Sequence, residues 1–210
     1  ASNLNNAEFL QHGVGDANFS AKFVTSPALV NQGLGPIFNQ VSCVSCHPKN
    51  GKSPQPLSGL DLKGLLFRVS IPRADESLGP LPLSGFGGQL QTKASVGKQA
   101  EGQVQISFEE NTFTFSDGTP YSLRKPIYTI TSANTSIPFN MMVSPRIAQQ
   151  VIGLGLIEAI SEANILLKAD ENDANGDGIS GKANRVWNPV SNAFELGRFG
   201  WKANNATLLA

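Results

Sequence analysis

The sequence predicts an α+β fold: helical segments towards both ends of the chain, interrupted by a small antiparallel β insertion at about residues 65–130. Three observations predict it. Apolar residues recur at helical spacing near the end of the chain, at Ile147, Val151 and Leu154, and alternate in its middle, at Val104, Ile106 and Phe108. The 21 glycines and 13 prolines demand many turns. A length of 210 residues suffices for one well-buried core, and a single domain over 1–210 is expected.

Sixteen basic residues balance sixteen acidic ones, so no strong field draws nucleic acid or an anionic membrane. No apolar run reaches the roughly 20 residues of a membrane span. The longest, 151–160, is broken by Gly153 and Gly155. The polar start Ser2-Asn3-Leu4-Asn5-Asn6 is that expected of a mature terminus.

Residues 5–25 predict a short helix or two with weak caps, ended at Ser26-Pro27. Pro36 suits a first helical turn and Pro48 a stop, so a helix is expected from Pro36 to His47 with Ile37, Phe38 and Val41 on its apolar side. Leu65 to Ile71 reads as a strand ended by Pro72. Val104, Ile106 and Phe108, then Phe113 and Phe115, read as two strands with a hairpin turn at 109–112. Residues 121–130 form a further extended stretch, which Pro126 places at an edge or bulge. Ser144 is a suitable N-cap with Pro145 at the first helical position, so a helix is expected from there to about Glu158. Ser161 caps another, 162–169.

The chemistry centres on Cys43-Val44-Ser45-Cys46-His47, which holds both cysteines and one of the two histidines. On a helix these thiols and the imidazole stand at i, i+3 and i+4 and share a face. C-x-x-C-H is the pattern for covalent attachment of haem c: two thioethers from Cys43 and Cys46, and His47 as the proximal iron ligand. A thioredoxin-like disulfide would want a preceding strand, and a zinc site two more ligands. Two buried structural cysteines are the remaining alternative. The second imidazole nitrogen of His47 should donate to a backbone carbonyl, expected in the loop 48–56. Attachment of this kind takes place outside the cytoplasmic membrane, which implies a periplasmic protein.

The distal side of the iron separates electron transfer from peroxide chemistry. Met141 and Met142, the only methionines, are the candidate distal ligands, with ordinary core filling as the alternative. His12 reads as a solvated histidine. Arg68, Arg73, Arg124 and Arg146 could face haem propionates, and Phe38, Trp187, Phe199 and Trp201 are large enough to wall a haem. In the segment 173–180, Asp173, Asn175 and Asp177 could offer side-chain oxygens, and Ile179 its carbonyl, to a calcium ion around the turn at Gly178. Asn184 stands where the closing glutamate of such a loop would be, so a carboxylate such as Asp170 or Glu171 would have to complete the shell. A polar turn with Asx hydrogen bonds is the alternative.

Several stretches in order resemble the bacterial di-haem oxidoreductases described as putative peroxidases, or thiol-oxidoreductase-like proteins. They are GLGPIFNQVSCVSCHPKNGKSP at 33–54, GGQLQ at 87–91, DGTPYSLRKPIY at 117–128, SPRIAQQVIGLGLIEAI at 144–160, and DANGDGISGKANRVW with LGRFGWKA between 173 and 203. The resemblance implies a cytochrome c-like helical haem domain, periplasmic location and redox work. It places Cys43, Cys46 and His47 at the family's first haem. Family members carry a second C-x-x-C-H downstream, so the 210 residues are expected to be the N-terminal haem portion. The partner is then a redox protein or the missing second haem domain. The expected function is electron transfer. A peroxidase acting at this haem and a non-redox calcium-stabilised binding module are the alternatives.

Overall fold

The computed structural model describes residues 3–75, 80–132 and 136–209. Strands outweigh helices, at 30% against 16% of the chain, in several small antiparallel sheets. The expected cytochrome c-like helical domain is therefore not what these residues build. The chain divides into two compact units, Ala1–Gln150 and Val151–Ala210.

The first unit opens with α1, Asn6–Ser20. Its start is firmly capped: the Asn5 side chain accepts from Glu8 N at 3.0 Å and the Glu8 carboxylate accepts from Asn5 N at 2.9 Å. The expected helix from Pro36 to His47 shrinks to one turn. Ile37–Phe38 form strand β1, and only Cys43–Cys46 form helix α2, followed by a 3-10 turn at Pro48–Asn50. The segment between holds Asn39, Val41 and Ser42, weak helix formers. Asn39 instead bonds across to residues 90–92, and Ser42 caps the turn.

The core is organised on β2, Leu65–Ile71, whose alternation puts Leu65, Phe67 and Val69 inside. After β3, Leu81–Pro82, and β4, Lys93–Ala94, come two long strands, β5, Gln103–Thr114, and β6, Pro120–Thr131. They pair in unbroken register from Gln103↔Thr131 to Thr114↔Pro120. Residues 109–112 therefore lie inside a strand. The turn comes later, where Asp117 Oδ1 accepts from Thr119 N at 2.9 Å and Gly118 takes φ 87°. Only the base of this hairpin is buried, through Val104 and Ile106. Phe113, Phe115 and Tyr121 cluster near its exposed end.

Ser144 and Pro145 do not start a helix. They lie in β7, Met142–Ile147, antiparallel to β2 with Pro145 opposite Phe67. The period there is two, not 3.6: Met141, Val143 and Ile147 all pack against the buried cluster. In the sheet order β3-β2-β7 this strand lies at the edge, where a proline's missing N–H costs no ladder bond. A second small sheet pairs β1 with β4.

The second unit holds α3, Leu154–Glu158, and α4, Glu162–Leu166, the latter capped by Ser161 as its sequence predicts. A hairpin of β8, Arg185–Asn188, and β9, Ala193–Leu196, follows. Within this unit the Arg198 guanidinium donates to the carbonyls of Glu158, at 3.3 Å, and Ile160, at the end of α3.

Phe67 is 1% exposed and meets Tyr128 edge to face at 5.2 Å. Phe67→Ala should cost about 3–5 kcal/mol, the usual range for an emptied aromatic core site, read as a lowered urea midpoint with unchanged slope. A loss below about 1 kcal/mol would show that β2 is not the centre of the core.

Candidate functional site

The single turn of α2 keeps the three residues of the motif together. His47 N donates to Cys43 O at 2.9 Å, so Cys43 and His47 are one helical turn apart. Ser42 holds the start of this turn: its Oγ accepts from Ser45 N at 3.3 Å and lies 2.6 Å from Ser45 Oγ. Both cysteines are free thiols, Cys43 exposed and Cys46 half-buried.

His47 is oriented from a distance. Its Nδ1 lies 2.5 Å from the carbonyl oxygen of Gln149. A carbonyl only accepts, so Nδ1 carries a proton, and in the neutral imidazole Nε2 keeps the lone pair. The sequence points to such a carbonyl in the loop 48–56, whereas the structure supplies it from the second residue after β7. Phe19, in the last turn of α1, stands beside the imidazole with ring centroids 6.3 Å apart. Phe23 N donates to Val41 O at 2.8 Å and ties the chain after α1 to the segment before α2.

Beside Cys46 lies a cavity of about 250 Å³, lined also by Gln40, Lys63, Thr92, Lys93 and Gln103. It is smaller than the roughly 300–1,000 Å³ of pockets that enclose a drug-sized ligand, so a group as large as a porphyrin would extend beyond it. Burial pushes the Cys46 thiol up from its ordinary pKa; nearby Lys93 pulls the other way, and Cys43 adds to the rise.

The remaining candidates are dispersed. Met141 packs against the Phe67 cluster and Met142 is 39% exposed on β7. His12 is exposed, 3.4 Å from Asp16. Arg124 lies 5.0 Å from the Phe108 ring centroid and 3.8 Å from Glu110, and Arg146 Nε donates to Ser144 Oγ at 3.4 Å. Arg68 is exposed and reaches over Gly88, and Arg73 is half-buried. Phe38 lies in the first unit, on β1; Trp187, Phe199 and Trp201 belong to the second, where Trp187 meets Phe194 at 5.4 Å.

The acidic loop turns its oxygens onto its own backbone. Asp173 accepts from Gly178 N, Asn175 Oδ1 from Asp177 N at 2.9 Å, and Asp177 Oδ1 from Ile179 N at 2.8 Å. Asp170 accepts from Ala174 N at 2.8 Å, and Glu171 pairs with Lys182. Among the described residues no group of three or more His, Cys, Asp or Glu stands close enough to hold a metal ion. The bonds accepted by Asn175 and Asp177 are Asx turns, which such a sequence favours. Likewise, no helix among them is long and apolar enough to cross a membrane.

The sequence gives no sign of Gln149. Gln149 acts through its carbonyl, which every residue has, so no side-chain signal could have found it. A short helix that presents two thiols, followed by an imidazole with Nδ1 committed and Nε2 free, is the arrangement a c-type haem requires. The model of the family described as "Di-haem oxidoreductase, putative peroxidase" matches residues 1–210. The chain belongs to that family. No curated protein and no solved structure matches it.

The two thiols should differ in reactivity. In the reduced, haem-free chain at about pH 8, alkylation should be faster at Cys43, because only the thiolate attacks and burial both shields Cys46 and pushes its pKa up. Peptide mapping after a short pulse reads this, and equal labelling would contradict the burial of Cys46.

Proposed function

We propose that this chain is a periplasmic c-type haem domain of a di-haem oxidoreductase, holding one covalent haem and passing single electrons. The observation that carries the reading is the His47–Gln149 bond, because it fixes the tautomer that an iron ligand needs and turns a short motif into an oriented site. Cys43 and Cys46 would hold the haem as two thioethers and His47 Nε2 would be the proximal ligand. When bound, haem supplies a one-electron couple at its iron. The protein's part is to fix the imidazole, through the Gln149 carbonyl that accepts the Nδ1 proton on one side and Phe19 on another. Periplasmic location follows from the attachment chemistry, which is completed outside the cytoplasmic membrane. The electron partner is another redox protein or a second haem domain.

Peroxide reduction at the same haem is the second reading. It is favoured by the family's description and by the packing of Met141 into the apolar cluster, which gives that methionine a structural occupation.

The test is intact mass after expression with the c-type maturation machinery. One covalent haem is expected on the wild-type chain and none on the Cys43→Ser/Cys46→Ser double variant. A wild-type chain without haem would end both redox readings. The ferric spectrum then separates them: a low-spin iron indifferent to peroxide supports electron transfer, and a high-spin iron that shifts with peroxide supports the enzyme.

A further inference from the structure

Ser53 and Gly64, with the distant Ala148, close a ring of hydrogen bonds against the haem motif. Ser53 N donates to Ala148 O at 3.0 Å, Ala148 N donates to Gly64 O at 2.9 Å, and Gly64 N donates to Ser53 Oγ at 2.9 Å. All three are buried, Ser53 to 4% exposure. The Ser53 hydroxyl also donates, to Pro54 O at 3.3 Å, so it uses both of its roles.

The ring touches the motif at two points. A Cβ on Gly64 would stand 2.7 Å from Cys46 O and 2.5 Å from Ser53 Oγ, so only glycine allows this approach. The residue after Ala148 is Gln149, whose carbonyl takes the His47 proton. The chain also bends to reach this ring: Lys49 and Asn50, directly after the motif, both take left-handed φ, 55° and 57°, and bring it round so that Ser53 meets Ala148. Asparagine adopts that conformation readily, whereas for Lys49 it is uncommon.

We propose that Ser53 and Gly64 are positioning residues for His47: the ring fixes the Gln149 carbonyl, and the carbonyl sets the tautomer and orientation of the imidazole. The effect on iron rests on the haem reading above, whereas the effect on the imidazole does not. Serine is required because its hydroxyl accepts from Gly64 N while its own backbone bonds Ala148. Alanine at 53 keeps the second bond and leaves the buried Gly64 N–H without its acceptor.

The full-length haem-free chain tests this by ¹⁵N NMR of the imidazoles, above the pH at which they are protonated. There are two histidines, so a His12→Gln variant assigns the signals. Wild-type His47 is expected in the Nδ1–H form. Ser53→Ala and Gly64→Ala should both move it towards the Nε2–H form with the fold retained by circular dichroism. In the haem-loaded protein they should raise the reduction potential, because the ligand loses the hydrogen bond that makes it a stronger electron donor. A wild-type His47 in the Nε2–H form overturns the proposal, as does a folded Ser53→Ala chain that keeps the wild-type tautomer. If neither variant folds, wild-type amide exchange decides: Gly64 and Ala148 should be protected together, within about twofold, and free exchange at Ala148 overturns the proposal. A wild-type chain that takes no covalent haem defeats the haem reading, while the tautomer result still decides this one.

Discussion

The bond from His47 Nδ1 to Gln149 O spans 102 residues, and the site depends on it. An imidazole on a single helical turn is otherwise free to rotate and to exchange tautomers. The bond requires Gln149 to be in place, which requires β7 to be in register with β2, which in turn requires the alternation of Leu65, Phe67 and Val69 inside and Met141, Val143 and Ile147 against them. The hydrophobic core and the candidate iron ligand are thus joined by two residues of chain, Ala148 and Gln149.

This explains why a sheet can serve where helices were expected. A four-residue helix has little stability of its own. Here α2 is held by its Ser42 cap, by the close approach of Gly64 to Cys46 O, by Gln149 on His47, and by Asn39, which fastens the preceding segment to residues 90–92. Tertiary contacts replace helix length. The motif is held in place by neighbouring elements, and the order β3-β2-β7 brings the chain back to the motif at β7.

The sequence made the grouping of the motif more legible than the fold. That Cys43, Cys46 and His47 share one turn could be read directly, because their spacing has one helical geometry. The strand Leu65–Ile71 was equally plain from its alternation. Ser144-Pro145 misled because the same dipeptide suits a helix start and an edge strand, and only the packing of Val143 and Ile147 on Phe67's cluster decides between them. Pro36 misled in the same way: it precedes a two-residue strand that exists only because Lys93–Ala94 pairs with it. Asn5 and Glu8 were a capping box that the reading undervalued. Gln149 was out of reach, since a backbone carbonyl leaves no trace in the identity of its residue.

The central claim is that this turn holds a haem through both of its thiols with His47 on the iron. Acid–acetone extraction of the matured protein, followed by the pyridine haemochrome spectrum of what stays with the polypeptide, addresses it most directly. The account predicts that the pigment resists extraction and shows the spectrum of a haem with both vinyl groups saturated. Pigment that extracts freely, or a polypeptide that carries none, would contradict it.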